Sequence, residues 1–434
     1  MVKNMSEKKI AITGMGLLTS LGYKKDDICK NLIAKNINIT EKCWVKSDRK
    51  YSSFVHSIPP LHFTDINFDL KCLKSLEKVG NDINDDLTYL LAIIKMAIDD
   101  ARLTYDSDNN EIGFILGNVY PGVEAFMKKI FDFLLDPDRQ NKKFKDEINF
   151  ETFYNLGVTE AFDLHTFMFL HNVGKIFNFH GFPLFVNNGC ATGAYAIESA
   201  SQMIKSGLAH TVIVATAEKS DFLKYMWFDS LQMYAKDGKI KPFAADRDGF
   251  IFGEGGGAFV LEDLEHARKR NANIYAEYLG GGFNFDGWKV VVPPLAGDSY
   301  YKAICNAIKR CEITPDKIEL VVPHGAGTQI SDNFESKMIT KMFDLKDARP
   351  QITALKPYIG YNISGNVIME TGIMLLALKD KILPPILNCE ITDPKLKIKN
   401  NLVKELQSTK INTFMKTDWG FGGFNSAMIF KVNK

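Results

Sequence analysis

Cys190 is the side chain of this sequence with the clearest potential for covalent chemistry. It stands in the segment 186–194 (VNNGCATGA), where an apolar strand gives way to a helix of small residues. The unpaired N–H groups and dipole of a helix N-terminus favour an anion, so this position predicts a lowered pKa for the thiol. A thiolate among small neighbours could accept an acyl group, like the nucleophile of a strand-to-helix elbow. On composition alone, a buried structural cysteine is the more common alternative.

The elements that must position Cys190 are predicted from hydrophobic patterning. A short strand over 9–13 runs into the segment 14–16, which we interpret as a tight turn after an edge strand. Thr19 stands where a dinucleotide fingerprint would need its third glycine. The other elements predicted in this half are a helix over 84–103, a strand over 112–117, a helix from Cys190 to about Ser206, a strand over 210–217 and a strand over 258–262.

Three further stretches of this half are distinctive in composition. Residues 119–180 are rich in aromatic side chains but weakly patterned, and their charged tract 136–146 predicts an exposed loop. The bulky residues 222–235 suit the wall of a pocket. The glycine run 253–257 lacks the Lys-Ser/Thr pair of a phosphate loop, so it indicates close packing between strands instead.

A second half, beginning near Ala272, repeats the alternation of strands and helices. The predicted elements are a strand over 274–279, a helix over 301–311, a strand over 318–322, a helix over 332–343, a helix over 372–381 and a closing strand over 427–432. Two halves that each begin with a strand and alternate β and α predict a duplicated α/β unit with buried, parallel or mixed sheets.

Composition excludes several classes of protein. The 434 residues are 46% hydrophobic and 24% charged, with a net charge of +1 and no run rich in Lys or Arg, so nucleic acid is not an expected partner. No apolar run reaches the roughly 18 residues of a membrane span, and the start lacks the apolar stretch of a signal peptide, so we expect a cytoplasmic protein. The seven scattered cysteines contain no C-x-x-C pair, which predicts reduced thiols and no metal site.

Four segments in chain order carry a resemblance to a known family. They are the Cys190 segment, HGAGT at 324–328, LKPYIGY at 355–361 and GFGGFN at 420–425. Together they resemble the β-ketoacyl-acyl-carrier-protein synthases, the condensing enzymes of fatty acid and polyketide synthesis. The resemblance implies a thiolase-like α/β fold with halves at 1–268 and 269–434, layered α-β-α-β-α. It also implies no bound cofactor, substrates carried on the phosphopantetheine of an acyl carrier protein, and a homodimer or a heterodimer with a paralogous ketosynthase.

The resemblance also assigns roles to individual residues. Cys190 would take the acyl group, and its N–H with that of Phe421 would bind the oxyanion. Phe421 would also gate the acyl pocket, in a loop whose backbone needs Gly420 and Gly422. The remaining implied residues are His324 as a donor to the malonyl thioester, Lys356 beside the site, Thr328, Gly422 and Gly423 in substrate binding, and Asp332 with Glu335 as supports of the His324 loop.

Two positions depart from the family pattern. Tyr361 stands where the family has a second histidine, and no histidine follows His324 in the chain. The Tyr361 hydroxyl or the amide of the adjacent Asn362 is the candidate substitute, because losing one positioned donor typically lowers a rate by about 10²–10³-fold. Ala326 replaces one of two threonines that bind the pantetheine arm, which removes about 1 kcal/mol of binding.

Three functions are therefore compatible with the sequence. The first is a condensing enzyme that elongates by itself from acyl-Cys190. The second is a chain-length-factor-like partner of a full ketosynthase, although such partners typically lack the nucleophilic cysteine that this chain retains. The third is an acyltransferase or hydrolase on the same scaffold, which needs no decarboxylation site and so tolerates Tyr361.

Overall fold

A ten-stranded mixed sheet runs through the computed structural model, which describes residues 8–46, 49–61, 66, 68, 85–104, 112–120, 165–294, 296–344, 348–398 and 401–433. Its strands are β1 Ile10–Leu18, β4 Ile112–Gly117, β5 Pro183–Val186, β6 Thr211–Glu218, β8 Gly255–Asp263, β9 Ala276–Phe285, β10 Leu320–Val322, β11 Gln351–Ile352, β14 Thr413–Gly420 and β15 Phe424–Val432. Their order across the sheet is β11-β10-β14-β15-β9-β1-β8-β6-β4-β5. The two small sheets contain β2 Ile39–Lys46, β3 Arg49–His56 and β7 Phe252–Gly253, and β12 Ile382–Leu383 with β13 Gln407–Ser408.

Helices and short 3₁₀ turns connect these strands. The α-helices are α1 Lys25–Ala34, α2 Asp85–Ala101, α3 Thr166–Phe177, α4 Thr192–Lys205, α5 Phe222–Ser230, α6 Leu264–Lys269, α7 Asp298–Arg310, α8 Gln329–Asp344, α9 Lys356–Ile359 and α10 Asn366–Lys379. The 3₁₀ turns are Gly189–Ala191, Pro315–Lys317 and Ile363–Gly365. Within the described residues, no helix is long and apolar enough to cross a bilayer.

Strands from the two predicted halves meet in the middle of the large sheet. Antiparallel pairing of β1 with β9 joins Ile10–Ile12 to residues 276–278, so the five strands before residue 268 continue directly into the five that follow it. On the first side, β4 pairs in parallel with β5 and β6, whereas on the second side β10 pairs in parallel with β11 and β14. This mixed arrangement with alternating helices confirms the predicted α/β class.

The predicted tight turn at 14–16 is wrong. These residues continue β1, an interior strand that pairs with β8 along its length and bulges between Ile12 and Gly14. Glycine is required there because α2 lies directly on the strand. A Cβ atom at Gly14 would lie 2.5 Å from the carbonyl oxygen of Ala97, and one at Gly16 would lie 2.0 Å from that of Ile93. The glycine pattern therefore marks a close helix-to-strand contact rather than a reversal of the chain.

The central helix α10 is buried from Asn366 to Leu378 and packs against α4 and β8. The sequence predicted a helix over 372–381, and the true start lies six residues earlier. Buried polar residues near the start of α10, including Glu370 and Thr371, interrupt the apolar pattern from which a helix is predicted. The first two turns of α10 were therefore not predicted.

Residues 119–180 are only partly described. Helix α3 was not predicted within the weakly patterned stretch, although its buried residues Phe169, Val173, Ile176 and Phe177 follow helical spacing. The loop predicted at 136–146 lies outside the described residues. The bulky segment predicted as a pocket wall begins with α5, where Phe228 is buried against Phe250 and Tyr361.

Candidate active site

Cys190 lies at the junction between β5 and α4, as the sequence predicted. The chain turns through Gly189, which adopts a left-handed conformation at φ 56° that favours glycine, and Cys190 follows in a single 3₁₀ turn. The Thr192 hydroxyl closes this junction, because it donates to the Gly189 carbonyl at 2.6 Å and accepts from the Asn188 N–H at 2.9 Å. The side chain is 2% exposed, so the thiol reacts inside the protein rather than on its surface.

Two groups approach the thiol from distant parts of the chain. The Tyr361 hydroxyl donates a hydrogen bond to Sγ, and the Phe421 N–H points to the same sulfur. Gly420 packs closely against Cys190, because a Cβ atom there would stand 2.9 Å from the Cys190 nitrogen and 3.3 Å from the Cys190 Cβ. A donor directed at Sγ, such as the Phe421 N–H, is the kind of group that could bind an oxyanion formed beside this sulfur.

The predicted lowering of the Cys190 pKa is wrong for the resting site. Burial raises the pKa of this thiol to about 12, and the hydrogen bonds from Tyr361 and Phe421 oppose that rise only in part. A helix terminus stabilises the thiolate, but the loss of water around the buried sulfur is the larger effect here. Cys190 is therefore a thiol at rest and needs a base to become a nucleophile.

His324 follows β10 in a loop whose backbone is hydrogen-bonded to the carboxylates of Glu335 and Asp332. Glu335 accepts hydrogen bonds from the N–H groups of His324 at 2.7 Å and Gly325 at 2.8 Å, and Asp332 accepts from Gly327 at 3.1 Å. These bonds confirm the supporting role predicted for Asp332 and Glu335. The imidazole Nδ1 lies 2.7 Å from an Asp418 carboxylate oxygen.

Behind His324 runs a chain of buried ionic groups. The Lys356 ammonium donates to the His324 carbonyl at 2.6 Å and pairs with Glu370 at 2.7 Å. Lys416 pairs with the second Glu370 oxygen at 2.7 Å and with Asp418 at 3.2 Å. All four of these side chains are completely buried, and their charges alternate, which is the arrangement that makes buried ions tolerable.

Two aromatic contacts hold the ring of Tyr361 in place. Its ring stacks on Phe250 at 4.4 Å between centroids and meets the His324 ring edge-on at 5.5 Å. Burial raises its pKa well above the usual range, with the neighbouring Cys190 adding to the effect, so the phenol stays protonated and can act as a donor.

Asn362, the other candidate donor, points elsewhere. Its amide nitrogen donates to the carbonyl of Gly253 at 2.6 Å and lies 3.2 Å from the carbonyls of Glu218 and Gly255. The two amide hydrogens are therefore committed to backbone acceptors, and the prediction of Asn362 as a substitute for the histidine is wrong.

A cavity of about 390 Å³ adjoins this site. His324, Tyr361 and Phe421 line it, as do Ala326 and Thr328, whereas Cys190 lies behind Tyr361 and is not among the described residues of the lining. Phe421 is half-buried and packs edge-on against Trp227 at 5.6 Å, so it forms part of the wall between this cavity and the bulky residues of α5.

The three residues predicted to bind substrate do not all line this cavity. Thr328 lines the cavity and its hydroxyl accepts the Ser331 N–H at 3.2 Å. Gly422 and Gly423 form the β14–β15 turn at φ 86° and 89°, and among the described residues they are not part of the cavity lining. They shape the loop that aims Phe421, because both conformations are ones that side chains other than glycine rarely adopt.

Three residues of the site were not found from the sequence. Glu370, Lys416 and Asp418 complete the ionic chain behind His324. The signal lies in β14, where Lys416 and Asp418 occupy a strand that is buried from Phe414 to Gly420. Charged residues on an interior strand are rare unless they are paired.

Comparison with known proteins gives a consistent result. Residues 7–267 match the family model "Beta-ketoacyl synthase, N-terminal domain" and residues 275–390 match "Beta-ketoacyl synthase, C-terminal domain". The 3-oxoacyl-[acyl-carrier-protein] synthase 2 of Rhizobium meliloti (strain 1021) is 28% identical over 98% of this chain and 99% of its own length.

Solved structures agree on the fold. "The ishigamide ketosynthase/chain length factor" superposes with a TM-score of 0.82 at 20% identity over 98% of this chain and 100% of that one. "AntDE:AntF (apo): type II PKS acyl-carrier protein in complex with its ketosynthase bound to the hexaketide" gives 0.79 at 20% identity with the same coverage. The predicted thiolase-like fold is confirmed.

Proposed function

Because the chain belongs to the beta-ketoacyl synthase family, we propose that it joins an acyl group held on Cys190 to a malonyl unit with loss of carbon dioxide. The observation that carries this proposal is the placement of Cys190. A buried thiol stands at a strand-to-helix junction, within reach of the Tyr361 hydroxyl and the Phe421 N–H. The pathway served is fatty acid or polyketide synthesis.

Acyl transfer is the first step. Sγ of Cys190 attacks the carbonyl of an acyl thioester, and the negative charge that develops on oxygen is bound by the N–H groups of Cys190 and Phe421. Because burial holds the thiol pKa at about 12, a base must remove the proton as the bond forms. His324 is the imidazole beside the cavity, and we assign it that task.

Decarboxylation is the second step. Loss of carbon dioxide from the malonyl thioester places negative charge on its carbonyl oxygen, and the resulting carbon nucleophile attacks the acyl carbonyl on Cys190. His324 and Tyr361 meet edge-on in the lining of the cavity, so they can donate to that oxygen together. The Tyr361 phenol takes the place of the histidine that the sequence lacks.

The substrates reach the site on the phosphopantetheine arm of an acyl carrier protein. The name of the Rhizobium relative includes the acyl carrier protein, and Thr328 and Ala326 line the same cavity as His324. We also propose that the chain acts as a homodimer or as a heterodimer with a paralogous ketosynthase. One of the proteins with the same fold is named as a ketosynthase/chain length factor.

A steady-state assay of the purified chain tests this function. The chain alone, supplied with acyl- and malonyl-carrier protein, is expected to yield carrier bearing a 3-keto acyl group two carbons longer, as read from the mass of the intact carrier. Carrier that stays unextended at high enzyme concentration would contradict elongation by this chain alone.

Substitution of Gly420 by alanine is expected to slow elongation by about 10²–10³-fold, the usual cost of one lost oxyanion donor. The new Cβ atom would lie 2.9 Å from the Cys190 nitrogen and 3.3 Å from the Cys190 Cβ, which fills the space for the oxyanion. The measurement is the elongation rate, with unfolding monitored by circular dichroism. Gly174→Ala in α3, whose Cβ would meet its surroundings at 3.4 Å, is the matched control. Normal elongation by a folded Gly420→Ala protein would contradict the assignment of the oxyanion site to this position.

Tyr361→Phe is expected to reduce elongation by about 10²-fold while acylation of Cys190 continues. The phenyl ring preserves the stacking on Phe250, so the change removes only the hydroxyl that donates to Sγ. Rapid-quench measurement of acyl-enzyme and of elongated carrier separates the two steps. Equal rates of elongation in the two proteins would exclude Tyr361 as the second donor.

A chain-length-factor-like partner is the second candidate function, and the high pKa of Cys190 with Tyr361 in the histidine position favours it. In that case the wild-type chain does not elongate, forms a stable heterodimer with a ketosynthase that has both histidines, and gains elongation on Tyr361→His. Elongation by the wild-type chain without a partner excludes this candidate.

A further inference from the structure

Asp418 contacts His324 directly, although it lies outside the four segments that carry the family resemblance. Its carboxylate is fully buried, with one oxygen 2.7 Å from His324 Nδ1 and the other 3.2 Å from the Lys416 ammonium. Burial alone would raise the pKa of Asp418, but His324, Lys416 and Lys356 outweigh it and hold that pKa below the usual range. The carboxylate is therefore ionised and can only accept, so the Nδ1 of His324 must carry a proton.

We propose that Asp418 is a positioning residue for the condensation, which keeps the proton of His324 on Nδ1 and leaves Nε2 free to exchange a proton with the reacting groups. This inference rests on the proposed function and adds to it a residue outside the four segments that define the resemblance. It also accounts for how one histidine could serve two steps.

The charges around His324 support this assignment. Lys356, Glu370, Lys416 and Asp418 alternate in sign and form one buried ionic chain beside the imidazole. Glu335 supplies one further carboxylate through its bonds to the His324 loop, which can compensate an imidazolium when it forms. Among the described residues, the titratable and charged groups in contact with His324 are Asp418 from β14, Glu335 from α8, Lys356 from α9, and Tyr361. Lys416, Glu370 and Cys190 lie one contact further away, against Asp418, Lys356 and Tyr361 respectively.

The proton follows a balanced path through Nε2. In acyl transfer, Nε2 takes the Cys190 proton as the new C–S bond forms and returns it to the carrier thiolate that leaves. A solvent proton then charges the imidazole, whose Nε2–H donates to the thioester oxygen while carbon dioxide is lost. When the C–C bond forms and the acyl–Sγ bond breaks, that proton passes to the Cys190 thiolate.

Asp418→Asn tests the proposal, because it reverses the hydrogen bond without changing the size of the side chain. The Lys416 ammonium needs an acceptor, so the amide oxygen should face it and the amide N–H₂ should face His324 Nδ1. His324 is then held with its proton on Nε2 and can no longer accept one. We expect acylation of Cys190 from acyl carrier protein to slow by about 10²-fold or more.

The decisive readout is the tautomer of His324, measured by NMR on histidine-labelled protein and assigned by difference from His324→Gln. The expected result is an Nδ1 proton in the wild type and an Nε2 proton in Asp418→Asn. An Nε2 proton in the wild type would overturn the proposal, even if the variant failed to fold. Slow acylation with the Nδ1 proton retained in the variant would also overturn it, because Asp418 would then act only as a counter-ion for Lys416.

A matched control and a separate outcome keep this test independent of the proposed function. Asp100→Asn removes a carboxylate of α2 that accepts from the Met15 N–H of β1 and has no contact with His324, and we expect normal acylation from it. If the wild-type protein neither acylates Cys190 nor elongates, the proposed function fails, while the His324 tautomer still decides the role of Asp418.

Discussion

Replacing Cys190 with alanine is expected to abolish elongation, with a loss of about 10⁴-fold or more in turnover. The change removes the only atom on which the acyl group can be held, while the oxyanion space beside Phe421 and Gly420 stays open. Little stability should be lost, since an alanine leaves most of the small, tightly packed junction intact. The measurement is the rate at which 3-keto acyl carrier appears with acyl- and malonyl-carrier protein.

Cys389→Ala provides the control for this variant. Cys389 is also buried, but its thiol lies 3.2 Å from the Lys404 ammonium in a different part of the fold. Elongation by Cys389→Ala should equal that of the wild type. Substantial elongation by Cys190→Ala would contradict covalent catalysis by this residue.

His324→Ala is expected to lower elongation by about 10²–10⁴-fold, because a positioned acid–base group contributes that much to a rate. Both acyl transfer to Cys190 and decarboxylation of the malonyl unit should slow. Without an imidazole, no base removes the proton of a thiol whose pKa burial raises to about 12, and one donor to the malonyl oxygen is lost as well. Rapid-quench kinetics of acyl-enzyme and product would resolve the two effects.

His324→Gln separates the two roles of the residue. The amide can donate to the malonyl oxygen but cannot accept the Cys190 proton, so acylation should stay slow while decarboxylation recovers in part. Raising the pH should also recover acylation in His324→Ala, because the fraction of Cys190 thiolate increases toward pH 12. A variant with wild-type acylation at neutral pH would contradict the assignment of His324 as the base.

The sequence predicted the site best where local chemistry decides the structure. The strand, turn and helix around Cys190 follow from Gly189 and the small residues after it, and the structure places them there. The His324 loop and its two supporting carboxylates were implied by the family resemblance, which rests on the short segment 324–328 and the residues just after it. Such features depend on neighbours in the chain, which a sequence displays directly.

Prediction failed where distant segments meet. The Cys190 pKa depends on burial and on groups as distant in the chain as Tyr361 and Phe421, which the position of Cys190 at a helix terminus does not reveal. The ionic chain of Glu370, Lys416 and Asp418 joins a helix to a strand, and each residue looks unremarkable alone. Gly14 and Gly16 were read as a turn because the helix lying on them is remote in sequence.

The most direct measurement of the central claim is a single-turnover chase. Wild-type protein would be acylated from acyl carrier protein, freed of carrier, mapped to confirm the acyl group on Cys190, and then mixed with malonyl-carrier protein. We predict that the acyl mass leaves the enzyme and appears on the carrier as a 3-keto product two carbons longer, with release of carbon dioxide. Acyl-Cys190 that persists in the presence of malonyl-carrier protein, or that is released as free acid, would contradict condensation by this chain.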